Sequence, residues 1–397
     1  MALDVDAARP VRNNPHDIRR ERRMMRAFQN PILGPLLRRF GGPEDIVQMG
    51  MSFWSSRLIL SAVEAGVFTE LANGRQYEHE LADALGWHPR AAGTALDALV
   101  AAGLLRRDRA GRYANTIRGA TFLDRSKPSY VGGLMELSSR RLYGLWLELD
   151  DLLRTGRPGA EEERGDNEFF SMLYQDPLAL RDFLAGMTGI STGEVTLLAS
   201  RFPWKRFRTF VDIGCAQGAL PVRVALTHRH LRGTGFDFPA VRPIFHEYVS
   251  SFGLEDGLNF VEDDFLEVPL PRADVISFGH VFHGRNQSIR QELVAKAYAA
   301  TPPGGAVIVY DAMIQPGLRK SRNNNYLSLL SSLNIMLESR EGYESSTSAC
   351  AELLHAGGFT RVKVRHLVGP TSAVFGFKPG RLPSTDANPV EPPARWI

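Results

Sequence analysis

The fold of this chain is decided by the segment Val211-Asp212-Ile213-Gly214-Cys215-Ala216-Gln217-Gly218. It begins as an apolar strand, and Gly214 at the strand end permits a tight turn into a helix that Gly218 opens. At this edge of a parallel sheet the backbone can approach a ligand closely. The spacing of Gly214, Ala216 and Gly218 differs from the Gly-x-Gly-x-x-Gly dinucleotide fingerprint. The turn therefore predicts a ligand site, but a glycine-rich turn alone does not identify the ligand.

Acidic residues occupy the ends of the next two predicted strands. Asp237 ends the second strand, where a carboxylate can accept hydrogen bonds from both hydroxyls of a ribose. Asp264 and Phe265 follow the third strand, and an acid beside an aromatic ring can contact the amino group and the face of an adenine. Each acid could instead be a solvent-facing loop residue. The ordered set at three successive strand ends favours a nucleoside site.

Predicted strands and helices alternate around these motifs. The predicted strands are 207–213, 233–237, 259–262, 273–278, 306–310, 359–366 and 372–377, and the predicted helices include 218–227, 240–251 and 287–300. This order is typical of an α/β fold with a doubly wound, Rossmann-like sheet, which we assign to residues 196–378. The proline-rich residues 379–397 are expected to form a disordered tail.

A different pattern precedes this domain. Residues 1–44 carry an arginine-rich run and are expected to form an N-terminal arm, either a solvated segment or a helix that packs on a partner subunit. Contact with an anionic surface is an alternative, which the acidic residues of the arm disfavour. Residues 45–195 are mostly helical by pattern. Within them, a helix at 78–86, a second helix opened by His88-Pro89-Arg90 and a charged turn at 106–113 predict a winged helix-turn-helix.

A winged helix by itself suggests DNA binding. The second helix, however, has no row of Arg, Lys, Asn or Gln for base edges, and instead displays Ala91, Ala92, Thr94, Ala95 and Ala98. We therefore expect a packing or dimerisation role without nucleic acid. The alternative is a transcriptional regulator that binds DNA through the winged helix and senses a ligand through the α/β domain.

Composition excludes several other classes of protein. The 397 residues include 47 basic and 44 acidic side chains, and the formal net charge of +3 gives no support for a polyanion-binding protein. Cys215 and Cys350 are too few for a disulfide framework and fit a reducing compartment. The first residues do not resemble a secretory signal, and no apolar stretch approaches the ~18 residues of a membrane span. We expect a cytoplasmic protein without a membrane partner.

Over roughly residues 45–378, the chain resembles the S-adenosylmethionine-dependent O-methyltransferases of the caffeate and small-molecule type. The resemblance is carried by the order and spacing of Val211 to Gly218, Phe236-Asp237-Phe238-Pro239, Asp264-Phe265, His280-Val281-Phe282-His283 and Pro303-Gly304-Gly305. It implies S-adenosylmethionine as cofactor, released as S-adenosylhomocysteine, and a homodimer formed through the winged-helix domain. It assigns cofactor binding to Asp212, Gly214, Gly218, Asp237, Phe238, Asp264, Phe265 and Ser277. A sulfonium cofactor brings no phosphate, which agrees with the missing dinucleotide fingerprint.

The same resemblance assigns the chemistry to three residues. The general base of the family is a histidine after the fourth strand, which corresponds to His283, and an imidazole titrates near neutral pH. The orienting carboxylates of the family correspond to Asp311 and Glu344. A carboxylate bonded to one ring nitrogen would leave the other for the substrate. The family usually continues with Asp-Trp after the base, whereas this chain has Gly284-Arg285.

A metal site can be drawn from the same segment. His280, His283 and Asp311 are ligand types that zinc and other transition metals accept. His280 is expected to belong to the strand end and to point elsewhere. We therefore predict no metal.

The acceptor pocket is harder to assign. Phe183 and Met187 lie in a helical region rich in large apolar residues, and such side chains can line a pocket for a planar ligand. In the family, a helix that corresponds to residues 323–336 walls the acceptor pocket, which nominates Asn334 and Met336 as substrate contacts. Its pattern is expected to turn inward Leu327, Leu330, Leu333 and Met336.

We interpret the chain as a methyltransferase that modifies a phenolic or enolic hydroxyl of a small aromatic molecule. Methylation at carbon or nitrogen by the same scaffold is an alternative, because the altered stretch after His283 leaves room for it. A family member that binds the cofactor without catalysis is a further one. Arg285 could bind an acidic group of the acceptor, or could be a solvent-exposed residue at a helix start.

Overall fold

The computed structural model describes residues 43–127, 129–157, 173–316 and 322–382, with side chains in the last range from Asn325 onward. Most of the predicted arm (1–44) and of the predicted tail (379–397) therefore lies outside the described residues. The chain divides into two compact units, residues 1–59 and 60–397. Each unit is described by itself.

The described part of the first unit is helical and strongly apolar on its surface. Helix α1 spans Pro43–Gly50, and helix α2 spans Ser52–Ala65 and continues into the second unit. The side chains of five large apolar residues are at least half exposed: Ile46, Val47, Met49, Phe53 and Trp54. Phe53 and Trp54 pack edge to face, with ring centroids 5.9 Å apart. Contiguous apolar surface of this kind is typical of a protein–protein interface.

The second unit opens with the predicted helix, helix and wing. After the short helix α3 (Val67–Glu70), helix α4 spans Glu78–Leu85 and helix α5 spans Pro89–Ala101. Gly86 ends α4 in the left-handed conformation, and the His88 side chain caps α5 by accepting a hydrogen bond from the Arg90 amide at 3.2 Å. Strands β1 (Leu105–Arg107) and β2 (Tyr113–Asn115) then pair antiparallel. The winged-helix prediction is confirmed.

A helical region connects the winged helix to the sheet. Its described helices are α6 (Ile117–Phe122), α7 (Gly132–Leu137), α8 (Tyr143–Leu145), α9 (Leu149–Thr155) and α10 (Pro177–Arg201), with one π-helical turn at Ser138–Leu142. A β-carbon at Gly133 would lie 2.8 Å from the carbonyl oxygen of Ala185. Glycine therefore lets α7 and α10 pack backbone to backbone. Helix α10 is 25 residues long and buries one carboxylate, Glu194, whose side chain matters below.

The described strands of the catalytic half form a seven-stranded sheet. The strands are β3 (Thr209–Ile213), β4 (Arg232–Asp237), β5 (Leu258–Glu262), β6 (Val275–Gly279), β7 (Ala306–Ala312), β8 (Thr360–His366) and β9 (Thr371–Phe377). Their order in the sheet is β5-β4-β3-β6-β7-β9-β8, with β9 antiparallel to both of its neighbours. The chain reverses direction across the sheet between β3 and β6, so a crevice opens at the carboxyl ends of these two strands.

Helices cover both faces of this sheet. They are α11 (Ala219–Thr227), α12 (Arg242–Ser250), α13 (Gln287–Ala300) and α15 (Thr347–Ala356), whereas α14 (Arg322–Glu338) packs against the helical region at Leu145 and Leu152. Alternate residues of one strand enter two separate cores, because successive side chains point to opposite faces: Phe210 joins one apolar cluster and Val211 the other. The doubly wound α/β fold predicted from the sequence is confirmed.

The burial of helix α14 differs from the prediction. The expectation that Leu327 and Met336 face inward is wrong, because Leu327 is 46% exposed and Met336 is 36% exposed. The buried positions are mostly polar: Asn325, Ser328, Ser332 and Leu337. Their hydroxyl and amide groups find partners on neighbouring segments, so a polar face can be buried without unpaired hydrogen-bonding groups.

Among the helices described, none is long and apolar enough to cross a membrane.

Candidate active site

The turn after β3 is built for close approach of a ligand. Gly214, Ala216 and Gly218 have φ values of 67°, 51° and 94°, the left-handed region that disfavours larger residues. A β-carbon at Gly214 would lie 2.8 Å from Cγ2 of Val281, so glycine is required here for space as well as for conformation. The predicted tight turn is present. It brings backbone to the carboxyl edge of the sheet.

Asp237 lies at the end of β4, directly beside this turn. Its Oδ2 accepts a hydrogen bond from the Ala216 amide at 2.9 Å, and its Oδ1 accepts one from the Phe238 amide at 2.8 Å. Burial raises the pKa of the carboxyl to about 6, although both backbone hydrogen bonds favour the ionised form. Each oxygen keeps a second lone pair for another donor. A carboxylate fixed in this way suits the two hydroxyls of a ribose.

Aromatic rings lie beside Asp237. The ring centroids of Phe238 and Phe265 are 6.3 Å apart, and Tyr174 lies 4.9 Å from Phe238 on its other side. Burial raises the pKa of the Tyr174 hydroxyl, which Asp237 raises further and Arg285 lowers. The sequence analysis did not anticipate Tyr174, because it stands in a helical segment far from the sheet motifs. These rings and the nearby carboxylates fit an adenosine group.

Asp264 and Asp212 take different places. Asp264 is partly exposed after β5, and its Oδ1 accepts a hydrogen bond from the Leu266 amide at 2.8 Å. Asp212 is 3% exposed within β3, and Ser277 of β6 is completely buried and donates a hydrogen bond to Asp212 at 2.7 Å. Burial raises the pKa of Asp212 to about 7. The structure thus gives Ser277 a supporting role behind the turn, because none of its side chain is exposed to a ligand.

The predicted base and both predicted carboxylates come together at the ends of β6 and β7. Nδ1 of His283 lies 3.0 Å from Oδ1 of Asp311 and 3.3 Å from Oε1 of Glu344. Burial disfavours the imidazolium, but the two carboxylates outweigh it and raise the pKa of His283 to about 10. Asp311 is buried too, yet His283 and His280 hold its pKa well below the usual range. Within the described residues, neither ring nitrogen of His283 makes a hydrogen bond of good geometry, so the contacts of Nδ1 with the two carboxylates are ion pairs.

Hydroxyl and backbone amide groups, as well as the His283 ring, fix the positions of the two carboxylates. Glu344 accepts a hydrogen bond from the Ser331 hydroxyl of α14 at 2.7 Å, and its own amide donates to the Ser332 hydroxyl at 3.2 Å. Asp311 Oδ2 accepts from the His283 amide at 3.3 Å. Because the carboxylates are fixed, the orientation of the His283 ring is fixed as well.

A second imidazole shares Asp311. Nδ1 of His280 lies 3.3 Å from Oδ1 of Asp311, and Nε2 lies 3.0 Å from Oε2 of Glu194. The expectation that His280 points elsewhere is wrong. Its backbone has φ of 55°, which turns the side chain back over the end of β7 beside Tyr310. Glu194 was not anticipated, because its position on α10 gives no local signal.

The three groups of the conceivable metal site are therefore close neighbours. Ligand-type atoms of His280, His283 and Asp311 all lie within 4.8 Å of one another. Attraction between imidazolium and carboxylate charges accounts for that proximity without an ion. The absence of a metal stays a prediction.

Arg290 was also missed by the sequence analysis. This residue of α13 is 2% exposed, and its Nε donates to the carbonyl oxygens of Phe282 and Arg285, each at 2.8 Å. Its terminal nitrogen donates to the Tyr343 carbonyl at 2.8 Å. Arg290 therefore binds the backbone on both sides of His283 and the residue before Glu344. It fixes the base relative to one of its carboxylates.

The predicted acceptor contacts lie in two places. Phe183 packs in the cluster that contains Tyr174 and Ala216, next to the turn after β3, and Met187 is half-buried one helical turn further along α10. Asn334 accepts a hydrogen bond from the Trp146 indole at 2.9 Å and donates to Glu338. Met336 is on the exposed side of α14. The side chain of Arg285 is half-buried and makes no ion pair or hydrogen bond within the described residues.

Comparison with known proteins agrees with this geometry. Residues 146–360 match the O-methyltransferase domain family, and residues 47–125 match the O-methyltransferase dimerisation domain. These two regions contain the turn after β3, His283 and the winged helix. The chain belongs to the S-adenosylmethionine-dependent O-methyltransferase family, and the resemblance found in its motifs is confirmed.

Three relatives show how far the likeness extends. The tetracenomycin polyketide synthesis 8-O-methyltransferase TcmO of Streptomyces glaucescens is 41% identical over 338 residues, which cover 85% of this chain and 97% of TcmO. The N,N-dimethyltransferase OxyT of Streptomyces rimosus is 36% identical, over 68% of this chain and 79% of OxyT. The crystal structure of human N-acetylserotonin methyltransferase in complex with S-adenosylmethionine has a TM-score of 0.75 at 25% identity, covering 84% and 96% of the two chains.

The protein is therefore a methyltransferase that uses S-adenosylmethionine. The residues present fit that cofactor, because Asp237 keeps free lone pairs for a ribose and the left-handed turn has no room for a β-carbon at Gly214. The fold brings Tyr174, Glu194, His280 and Arg290 close to residues that the motifs indicated.

Proposed function

We propose that the protein transfers a methyl group to a phenolic or enolic hydroxyl of a small aromatic acceptor, with His283 as general base. The observation that carries this proposal is the position of His283 Nδ1 between Asp311 and Glu344, at 3.0 and 3.3 Å. Two carboxylates on one ring nitrogen stabilise the imidazolium that forms when the other nitrogen takes a proton. A base of this kind serves an acceptor whose proton must leave as the oxygen attacks.

The cofactor and the protein would contribute different parts of the reaction. S-adenosylmethionine supplies an already activated methyl group when it is bound. The turn after β3 and Asp237 would bind the adenosine part of the cofactor, and Phe238 and Phe265 would flank its adenine ring. His283 would take the hydroxyl proton at Nε2 in its neutral form, which predominates above a pKa of about 10, and Asp311 and Glu344 would stabilise the imidazolium that results. The protein then contributes positioning and proton removal, which are the requirements of an in-line transfer.

The acceptor class is inferred from the relatives and the lining of the site. TcmO is named for tetracenomycin polyketide synthesis, and another relative, from Streptomyces sahachiroi and 28% identical, is named a 3-hydroxy-5-methyl-1-naphthoate 3-O-methyltransferase. We propose a fused aromatic phenol of the polyketide type for this chain as well. Phe183, Met187, Asn334, Met336 and Arg285 are the proposed acceptor contacts. Arg285 would suit an acceptor that carries a carboxylate or an ionised enol.

The test is turnover of His283→Asn with labelled S-adenosylmethionine and a panel of naphthol and anthraquinone phenols. We expect turnover to fall by roughly 10²- to 10⁴-fold, the usual contribution of a general base. The dissociation constant for S-adenosylhomocysteine should be unchanged. A matched control is His228→Asn, because His228 is partly buried in the same half and bonds only the Ala199 carbonyl. Full turnover in His283→Asn would exclude the base.

Nitrogen methylation is the second candidate, because OxyT is 36% identical and is named an N,N-dimethyltransferase. Carbon methylation remains the other alternative for the same scaffold. The methyl chemical shift of the product in NMR distinguishes the three attachments. An amine acceptor would also make turnover less dependent on His283, because an uncharged amine attacks without first losing a proton.

We also propose a homodimer formed through the dimerisation domain. The apolar surface of α1 and the start of α2, with Trp54 63% exposed, supports this. Sedimentation of Trp54→Glu should show a shift towards monomer. We propose domain limits at residues 45–195 and 196–378; the dimerisation-domain match, residues 47–125, lies within the first range, and the O-methyltransferase-domain match, residues 146–360, extends across the boundary. A cytoplasmic location is proposed as well, supported by the unpaired, buried Cys215 and Cys350.

A further inference from the structure

A continuous buried network runs from helix α10 to helix α14 behind the proposed base. The Thr371 hydroxyl donates to Glu194 at 3.0 Å, and the other oxygen of Glu194 lies 3.0 Å from His280 Nε2. His280 Nδ1 lies 3.3 Å from Asp311 Oδ1, the same oxygen that lies 3.0 Å from His283 Nδ1. The side chains of His280, Glu194 and Asp311 are all at least nine-tenths buried. The orienting carboxylate is therefore shared between two imidazoles.

His280 occupies this place at a conformational cost. Its φ of 55° lies in the left-handed region, which is unfavourable for residues other than glycine. Its amide donates to the Tyr310 carbonyl at 3.0 Å, so the turn is held by backbone as well. A residue kept in such a conformation, with both ring nitrogens on buried carboxylates, points to a role beyond packing.

The charges around the two rings decide what that role is. His280 faces Glu194 from α10, Asp311 and Tyr310 from β7, and His283 at a ring-centroid distance of 5.7 Å. Its burial opposes the imidazolium, but Glu194 and Asp311 raise the pKa of His280 well above the usual value. His280 is then a cation at neutral pH.

The surroundings of His283 complete the set. His283 faces Asp311, Glu344 and His280. On the α15 side, Cys350 feels the charges of Asp311 and Arg290, and burial raises the pKa of its thiol to about 12, so it stays neutral. Among the residues described, the only positively charged ring that lies beside the His283 ring is therefore that of His280. Two like charges at this distance each disfavour the other.

We propose that His280, held as a cation by Glu194, is a positioning residue that shares Asp311 with His283 and so limits the negative charge that the base feels. His283 then gives up its proton more readily than it would beside an unshared carboxylate. The inference rests on the proposed function, in which His283 is the general base. His280 itself touches neither the acceptor nor the cofactor in this scheme.

The test compares His280→Gln, which removes the charge, with His280→Lys, which keeps it. In His280→Gln the acid limb of the kcat/KM profile should move up by roughly one pH unit, by the loss of a like charge near the base. Activity near pH 7 should therefore fall about tenfold. The deficit should shrink as the pH approaches 10 and above. His280→Lys should keep the wild-type profile, and His228→Gln serves as the control for removing a partly buried histidine elsewhere.

A second measurement does not depend on turnover. Titration of ¹³C-labelled histidine ring signals by NMR in the wild-type protein should show His280 still protonated where His283 titrates, and the His283 signal should titrate higher in His280→Gln. A neutral His280 at pH 7 would overturn the proposal. Equal losses in His280→Gln and His280→Lys at every pH would do so too. If the variants do not fold, the wild-type titration decides.

Different results would exclude the base assignment of His283 and the role of His280. If His283→Asn keeps full turnover, the base assignment is wrong whatever the ring titrations show. If His283→Asn is inactive but the His283 titration is the same in wild type and His280→Gln, only the role of His280 is excluded.

Discussion

At the scale of single residues, Arg290 shows how a side chain away from the reacting atoms can control the site. Its guanidinium group binds three backbone carbonyls, two of which flank His283. It also lies 4.1 Å from the centre of the Tyr343 ring, the residue next to Glu344. A planar group with five donors can make these contacts together, and a lysine ammonium cannot reproduce them. Arg290 therefore couples the position of the base to that of its carboxylate.

We predict that Arg290→Lys lowers kcat about 10- to 100-fold and leaves the affinity for S-adenosylhomocysteine unchanged. The reason is that a small displacement of a positioned group has a large effect on rate, whereas the turn after β3 does not contact Arg290. Steady-state kinetics and calorimetric titration check the two halves. Arg223→Lys, on the sheet-packing helix α11 away from the site, is the matched control. Weaker cofactor binding with an unchanged kcat would contradict the prediction.

Residues differ in how far the sequence reveals them. Gly214, Asp237 and His283 stand at strand ends, where local pattern and order along the chain indicate both place and chemistry. Glu194 lies on a helix that reaches the site only through tertiary packing, and nothing nearby in the sequence marks it. Arg290 and Tyr174 are similar cases. The sequence therefore predicts the groups at the edge of the sheet, but not those that other elements bring against them.

At the scale of elements, helix α14 shows where hydrophobic periodicity fails. The pattern rule assumes that the buried face of a helix is its apolar face. Here Ser328 and Ser332 are buried against backbone groups, and Leu329 is 44% exposed. The polar residues are inside because they hold Glu344 and the carbonyl oxygen of Met313. In the sheet, by contrast, every strand recurs within about two residues of its predicted limits, and the central strands β3, β6 and β7 are marked by the continuous apolar runs of buried parallel strands.

We predict that Ser328→Leu destabilises the protein by about 1–3 kcal/mol, because it inserts a larger side chain into a filled space and removes a hydrogen bond. Leu329→Gln, its neighbour, should change the free energy of unfolding by no more than about 0.5 kcal/mol. Chemical denaturation of both variants measures the difference. The reverse order of the two effects would mean that the apolar face of α14 is the buried one after all.

At the scale of the whole molecule, the site makes stability depend on pH. The pKa of His283 is raised to about 10, and those of Asp212 and Asp237 are raised to about 7 and 6. Each raised value means that the folded state binds the proton more tightly than the unfolded state. The stability that the His283 proton contributes is fully present below about pH 6.5 and is lost as the pH rises through 10. The stability that the protons of Asp212 and Asp237 contribute is lost earlier, as the pH rises through 7 and 6.

We therefore predict that the melting temperature falls steadily between about pH 6 and pH 10. The contribution of His283 is on the order of 5 kcal/mol, from about 1.4 kcal/mol for each unit of the difference between a pKa of 6.5 and a pKa of about 10. In His283→Gln the decline between pH 7 and pH 10 should be smaller by the share of His283, and the share of His280, whose pKa is also raised, should remain. Differential scanning calorimetry across this range provides the measurement, with His228→Gln as control. A wild-type melting temperature that rises with pH would refute the assignment of charge in the site.

The order of strands also has a consequence in time. Strand β7 carries Asp311 and is buried along all seven residues, but one of its edges is paired only by β9, at residues 371–377. At a synthesis rate of about 5–20 residues per second, β9 follows β7 from the ribosome after roughly 3 to 12 seconds. Throughout that interval the growing chain presents an unpaired apolar edge. A polypeptide released before β9 is made already contains the proposed base and the cofactor turn. Because the edge of β7 stays uncovered, we expect such a chain to bind chaperones and not to be an active enzyme.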